Sequence, residues 1–304
     1  MIIFNFNNSK KLNYYVDEWL NNKSNIKLSS YTRYYNLINE HIKNDIGKLS
    51  INKINTNIVN EYLTRKLNTG KINGCGGLSK NTVYDIKNIL MQVFKKNNID
   101  IDLIKINKKI GKGKCLYNND RKKLLSYLIN NENTINIGIL LSLLLGLRKS
   151  EVCGIKWNDI DLNNKVIKIN NIISRVNSFD DNNKTKLIIS SPKTDNSKRI
   201  LPIPNKLLII LKKFKCNNNY FLLTSNNTYM DPRTFYNHYK KITNSLNINY
   251  TYHDLRHTFA TNCIELGIDS KTLMELLGHA NISTTLNIYV HPSINSKRRY
   301  IDKL

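Results

Sequence analysis

Between Leu12 and about Asn98, apolar residues recur at three- and four-residue spacings in "LNYYVDEWLNN", "SSYTRYYNLINEHI", "NTNIVNEYLTRKL" and "SKNTVYDIKNILMQVFKK". On an α-helix that spacing gathers the apolar side chains into one stripe, and three of the four segments begin near a Ser or Thr suited to capping. The pattern predicts a small bundle of four helices. The second and fourth carry Lys, Arg, Thr and Tyr on the opposite face, a surface equally suited to solvent and to phosphate groups. The Gly-rich "TGKINGCGGLS" between the third and fourth lacks the Gly-Lys-Ser/Thr ending of a phosphate-binding loop and reads as a flexible turn.

The periodicity stops at "KINKKIGKGK", residues 105–114, a basic stretch punctuated by glycine. It reads as a connector between a first domain at 1–104 and a second at 115–304. Helical patterns return over Asp120 to Asn130 and Thr134 to Leu145, followed by "GLRKSEVCGIKWNDID". Three strand-like pieces come next, "KVIKIN", "LIIS" and "RILPIP", rich in Ile and Val and separated by Asn, Asp, Ser and Pro. They predict one small antiparallel sheet. After Pro204 the pattern is helical again in "NKLLIILKKF", "DPRTFYNHYKKI", the stretch from Asp254, "SKTLMELL" and "STTLNIYV". The expected fold is mainly α with a small antiparallel β-sheet, in two lobes and without solenoid-type repeats.

A length of 304 residues with 40% apolar content suits two buried cores. Charge adds a partner: 47 Lys and Arg against 22 Asp and Glu give a net charge of +25, with the excess in both lobes. The wealth of Asn, Ile and Lys matches AT-rich coding, yet Glu, whose codons are also AT-rich, occurs 7 times against 37 Lys. The asymmetry points to a polyanion, with nucleic acid favoured over a membrane surface. Five scattered cysteines, Cys75, Cys115, Cys153, Cys216 and Cys263, suggest neither a disulfide framework nor a Cys-type zinc site. "MIIFNFNNSKK" does not read as a signal peptide, and the longest apolar run, "INIGILLSLLLGL", is short of the roughly 20 residues of a membrane span. A reducing cytoplasm is the expected location.

The chemistry concentrates in four stretches of the second lobe: "GLRKSEV" with Arg148 and Glu151, "SPKTDNSKRILPIP" with Lys193, "HDLRHTFAT" with His253 and Arg256, and "LLGHANISTTLNIYVHP" with His279 and Tyr289. In this order they resemble the active-site boxes of the tyrosine recombinase, or phage integrase, family. The resemblance covers about residues 115–292, while the helical lobe is similar to the family's core-binding domain in size, position and charge. It implies a site-specific DNA recombinase that cleaves and rejoins double-stranded DNA through a 3′-phosphotyrosyl intermediate. It also implies four protomers on two DNA sites, exchange through a Holliday junction, and no metal or cofactor. Insertion or excision of a mobile element is the expected role, with resolution of replicon dimers and the need for an accessory directionality factor left open. The chain begins almost directly at the helical lobe, so an arm-binding domain like that of some integrases is not expected.

The same assignment has a physical basis. Cutting a phosphodiester places negative charge on nonbridging oxygens, and cations fixed beforehand stabilise it. Arg148 and Arg256 suit a bidentate clamp, with His279 as a further donor. Tyr289 is the candidate nucleophile; its hydroxyl, with an ordinary pKa of about 10, must lose a proton to the field of the clamp or to His253. The resemblance implies Lys193 as general acid to the leaving 5′ oxygen, and Glu151 is placed to orient the cluster. Duller readings stand beside these. Tyr289 is one of 17 tyrosines, Lys198 lies close to Lys193, and Arg148 could cap the preceding helix. His257 reads as structural, and the role of His291, two past Tyr289, is left open. The tail "SINSKRRYIDKL" could meet a neighbouring protomer, DNA or neither. The i, i+4 histidines of "HDLRH" suit a zinc site, opposed by Arg256 between them and by the lack of a third ligand. A topoisomerase-like relaxer and a noncatalytic DNA-binding regulator are the alternative functions.

Overall fold

The computed structural model describes residues 10–23, 26–108, 113–178, 184–192, 195–279, 298 and 301–302. By packing, the chain divides into two compact units, Met1–Gly111 and Lys112–Leu304.

The first unit holds the four expected helices: α1 (Leu12–Asn21), α2 (Leu28–Leu37), α3 (Thr56–Thr69) and α4 (Lys80–Lys96). The predicted second helix runs on as a π-helical turn over Ile38–Ile42, which aims both Ile38 and Ile42 into the core. Two helix starts are capped, since the Asn55 side chain accepts the Ile58 N–H at 3.0 Å and Ser79 Oγ the Thr82 N–H at 3.1 Å. The apolar stripes meet in one core that includes Leu12, Val16, Val59, Leu63, Ile86 and Leu90. The chain leaving α4 is held to it: Ile106 is buried there, Lys87 Nζ donates to the Ile104 carbonyl at 2.8 Å, and Asn60 Oδ1 accepts the Ile104 N–H at 2.9 Å. The start of the expected connector therefore packs on the helices.

The second unit comprises α5 (Asn118–Asn130), α6 (Thr134–Leu145), α7 (Lys149–Gly154), strands β1 (Ile160–Asp161), β2 (Val166–Ile169), β3 (Ile172–Asn177), β4 (Thr185–Ser190) and β5 (Arg199–Pro202), then α8 (Asn205–Phe214), α9 (Pro232–Ser245), α10 (Tyr252–Glu265) and α11 (Ser270–Leu277). Helix α6 is apolar almost all round and lies at the centre of the core, with α7, α8, α9 and α10 against it. The single small sheet expected is two among the described residues. Strands β1, β2 and β5 form a three-stranded antiparallel sheet, and β3 pairs only with β4 in a hairpin. Asn170 and Asn171 separate β2 from β3, and the Asn170 side chain donates instead to Asp159 Oδ1 at 3.0 Å. Strand β3 lacked a sequence signal because its buried residues, Ile173 and Val176, are three apart. The helix predicted over 283–290 lies outside the described residues. All five cysteines are free thiols, and no described helix is long and apolar enough to cross a membrane.

Gly146 ends α6 in the left-handed conformation, at φ 69°, and turns the chain toward Arg148. A Cβ there would come within 2.5 Å of the Phe259 ring on α10. Gly146→Ala is expected to cost about 1–2 kcal/mol from the backbone alone. Urea unfolding checks this, and a variant at least as stable as the wild type would contradict the close packing of this turn.

Candidate active site

The site is assembled where α6 ends, α7 and α10 begin, and α11 stops. Arg148 occupies the N-cap position of α7 with extended backbone, at φ −76° and ψ 150°. Glu151 lies in the first turn of α7 and reaches back, so that Oε2 accepts the Arg148 N–H at 2.8 Å and Oε1 accepts Arg148 Nη1 at 2.7 Å. A carboxylate is favoured at that end of a helix, where free N–H groups gather. Arg148 therefore belongs to the helix after it, not to the C-terminus of the one before. Its side chain is 34% exposed, whereas Glu151 is 2% exposed. Burial alone would raise the Glu151 carboxyl, but Arg199, Arg148 and Arg256 outweigh it and hold the pKa at about 2.

Helix α10 begins at Tyr252, two residues earlier than the Asp254 start expected from sequence. Asp254 closes a capping box, accepting from the Thr251 N–H at 2.7 Å and the Thr251 hydroxyl at 2.8 Å. It also accepts the Lys114 N–H at 3.1 Å, and next along the chain the Leu116 N–H donates to Thr258 Oγ1 at 2.9 Å. The end of the expected connector is thus fastened along α10. With three donors on it, Asp254 is occupied by the fold, and among the described residues no group of His, Cys, Asp and Glu is arranged to hold a metal ion. The zinc reading of "HDLRH" has no third ligand in that set.

One turn into α10, Arg256 is 1% exposed. It donates through Nη1 to the Gly146 carbonyl at 2.8 Å and through Nη2 to the Leu277 carbonyl at 2.6 Å. The same Leu277 carbonyl accepts Arg148 Nη1 at 3.5 Å, so two arginines more than a hundred residues apart meet at one oxygen. That oxygen is at the C-terminal end of α11, where a cation is favoured. Gly278, left-handed at φ 63°, stops α11 there and turns the chain so that His279 Nε2 lies 2.8 Å from Arg256 Nη2. Arginine only donates, so Nε2 is the acceptor and Nδ1 carries the ring proton of His279.

Both family-pattern histidines are held neutral. His279 is lowered to about 3 by burial and by Arg256, Arg148 and Arg199. His253, exposed on the first turn of α10, is lowered to about 4 by partial desolvation, then by His257, Arg256 and Arg148. The His257 ring stands edge-on to it at 4.7 Å between centroids. His253, Thr251, Tyr236, Lys149 and Arg148 share a cleft of about 340 Å³ in which Lys149 Nζ sits 5.1 Å over the Tyr236 ring. The cleft offers cations, a neutral imidazole and an aromatic face, a set that suits a phosphate with its attached sugar and base.

Arg148, Glu151, His253, Arg256 and His279, drawn from three separate sequence stretches, are therefore brought together. Lys193 and Tyr289, with His291, lie outside the described residues. Sequence reading missed Arg199, whose side chain is 6% exposed and bonded to Glu151. It stood in a quoted motif, but a lone Arg opening an apolar strand carries no local sign that it turns inward.

The sequence matches the phage integrase family over residues 114–296 and the N-terminal SAM-like domain of phage integrases over 11–67. It is 36% identical over 185 residues to the tyrosine recombinase XerC-like protein of Caldanaerobacter subterraneus, covering 54% of this chain and 47% of that one. It is 30% identical over 224 residues to tyrosine recombinase XerA of Pyrococcus horikoshii, covering 70% of each. The chain thus spans about half the length of the first relative and more of the second. Its fold is similar to that of the Tn1549 transposon integrase in complex with a circular intermediate DNA, with a TM-score of 0.79 and 21% identity over 97% of this chain and 100% of that one. With the two arginines of its site converging on the end of α11 and the match covering that whole region, this chain belongs to the phage integrase family, the tyrosine recombinases.

Proposed function

We propose that this protein is a site-specific DNA recombinase that inserts or excises a mobile element, breaking and rejoining double-stranded DNA through Tyr289. The observation that carries the reading is the meeting of Arg148 and Arg256 at the Leu277 carbonyl, with two neutral histidines beside them. Fixed, always-charged donors of this kind stabilise a phosphate as it gains charge, and they require no reorganisation when it does. In this reading Arg148 reaches out to the scissile phosphate, Arg256 backs it, and His279 adds a hydrogen bond. Tyr289 attacks phosphorus, forming the 3′-phosphotyrosyl bond as the bond to the 5′ oxygen breaks. His253 takes the tyrosyl proton; burial lowers its basicity most, and the bound phosphate offsets the further lowering by the neighbouring cations. Lys193 protonates the leaving oxygen, and Glu151 orients Arg148. Attack by the 5′ hydroxyl of a partner strand reverses the step on the new molecule.

The energy of the broken linkage is kept in the tyrosyl ester, so no nucleotide cofactor enters the scheme. The first unit, as core-binding domain, and the second, as catalytic domain, both grip DNA, in keeping with a charge of +25. Four protomers act on two sites, in the cytoplasm. The fold likeness to a transposon integrase bound to a circular intermediate supports the mobile-element role.

The test uses nicked duplexes drawn from the DNA that flanks this protein's gene, resolved on a denaturing gel. A protease-sensitive covalent adduct is expected, with peptide mapping placing the phosphodiester on Tyr289. A linkage on another residue would move the nucleophile. Retardation of these duplexes without any adduct, together with no cutting of DNA in cells, would identify a noncatalytic binder.

A further inference from the structure

The resemblance gives Arg199 no part, yet its side chain makes four hydrogen bonds beside the site. It opens β5, and its guanidinium turns inward. Nη1 donates to Glu151 Oε1 at 3.2 Å and Nη2 to Glu151 Oε2 at 3.0 Å, a bidentate pair. Nε donates to the Leu276 carbonyl at 2.8 Å, and Nη1 also to the Ser197 carbonyl at 3.2 Å. Both Glu151 oxygens accept from Arg148 at the same time. Gly278 packs so closely that a Cβ there would lie 3.1 Å from Arg199 Nη1.

We propose that Arg199 is a positioning residue for strand cleavage: it joins Glu151, the C-terminal end of α11 and the turn just before β5, so that Arg148 and His279 keep one geometry. Three arginines thereby divide the work at the end of α11. Arg256 and Arg148 hold the Leu277 carbonyl, Arg199 holds the Leu276 carbonyl, and Arg199 spends its fork on the carboxylate that orients Arg148. Arg199 acts through other residues, with its donors directed to protein acceptors. Lysine cannot replace it, because a single ammonium cannot reach Glu151 in bidentate fashion and a helix carbonyl together. The role rests on the recombinase reading above.

The test is a double-mutant cycle with Arg199→Met, Arg199→Lys, Glu151→Gln and the Arg199→Met/Glu151→Gln pair, with melting temperature as the control for folding. The single-turnover rate of adduct formation is expected to fall about 100-fold in Arg199→Met, because small misplacement of a cleavage group costs that much, with DNA affinity within about twofold. Arg199→Lys is expected to recover little of the rate. In the Glu151→Gln background, loss of Arg199 should slow cleavage by less than about threefold, since the two act as one unit. Full multiplication of the two losses, cleavage by Arg199→Met within about threefold of wild type, or a matching loss of DNA affinity would each overturn the proposal.

A second readout does not depend on catalysis. The Gly278 and His279 amides, which donate to Glu275 and Met274 carbonyls, should exchange with deuterium at least about tenfold faster in Arg199→Met while α6 is unchanged. If the wild type forms no adduct, the recombinase reading fails, and this exchange measurement alone decides whether Arg199 holds the end of α11.

Discussion

Arg256→Met is expected to retain DNA binding and to form covalent adduct about 100- to 1,000-fold more slowly than the wild type, the loss expected when the buried cation that fixes the donors of an anion site is removed. Three features make the effect large. The side chain is 1% exposed, so water does not take its place. Its loss removes the arginine donor from the Gly146 carbonyl and, among the described residues, leaves the Leu277 carbonyl with the 3.5 Å bond from Arg148. Each such buried group left unpaired costs about 1–3 kcal/mol. It also removes the donor to His279 Nε2, together with a cation that keeps that ring from protonating. The His279 ring should therefore titrate at higher pH in the variant, which NMR follows directly. Arg256→Lys should rescue poorly, because one ammonium cannot bridge the turn after α6 and the end of α11 as a planar fork does. A methionine variant that cleaves within tenfold of the wild type would remove Arg256 from the clamp.

The second large effect is on stability. Glu151→Ala is expected to lower the unfolding free energy by about 3–5 kcal/mol, because it leaves the buried Arg199 without its carboxylate. Glu151→Gln, which keeps an acceptor, should lose less. The pH dependence has a definite sign. The folded carboxyl titrates near 2 against an ordinary 4.5, so the folded state favours the ionised form. Its contribution is complete above about pH 5 and is lost as pH falls from there through 2; the shift corresponds to about 3 kcal/mol. Urea unfolding of wild type and Glu151→Gln between pH 7 and pH 3 measures it. The wild type should lose more stability than the variant over that range, and parallel pH curves would mean that Glu151 is not held ionised by the three arginines.

Much of this organisation is legible in the sequence for physical reasons. Helices α1 to α4 follow from apolar spacing, with capping residues such as Asn55 and Ser79 at two of their starts. Arg148 and Glu151 share one helix start, and their three-residue spacing lets the carboxylate reach back to the N-cap whatever the rest of the fold does. The excess of Lys over Glu predicts a polyanionic partner without reference to any fold.

Other features depend on groups that are distant in sequence. The partners of Arg256 are on the turn after α6 and at the end of α11, and those of Arg199, apart from the nearby Ser197 carbonyl, are on α7 and α11, so the inward direction of both arginines is set mainly by distant groups. Asp254 stands between the two histidines of "HDLRH" in sequence, yet its oxygens are occupied by Thr251 and by Lys114, which is 140 residues away. Strand β3 escaped notice because a hairpin exposed on one side needs no strict alternation, and the break at Asn170 and Asn171 appears only when β2 finds β5 as its partner. The sequence by itself determined the helical periods, the basic charge and the order of the chemical groups, because these depend on neighbours a few residues apart. The tertiary structure alone decided which arginine faces the cleft and which are buried behind it, because those choices are made by backbone carbonyls and one carboxylate that only folding brings within hydrogen-bonding reach.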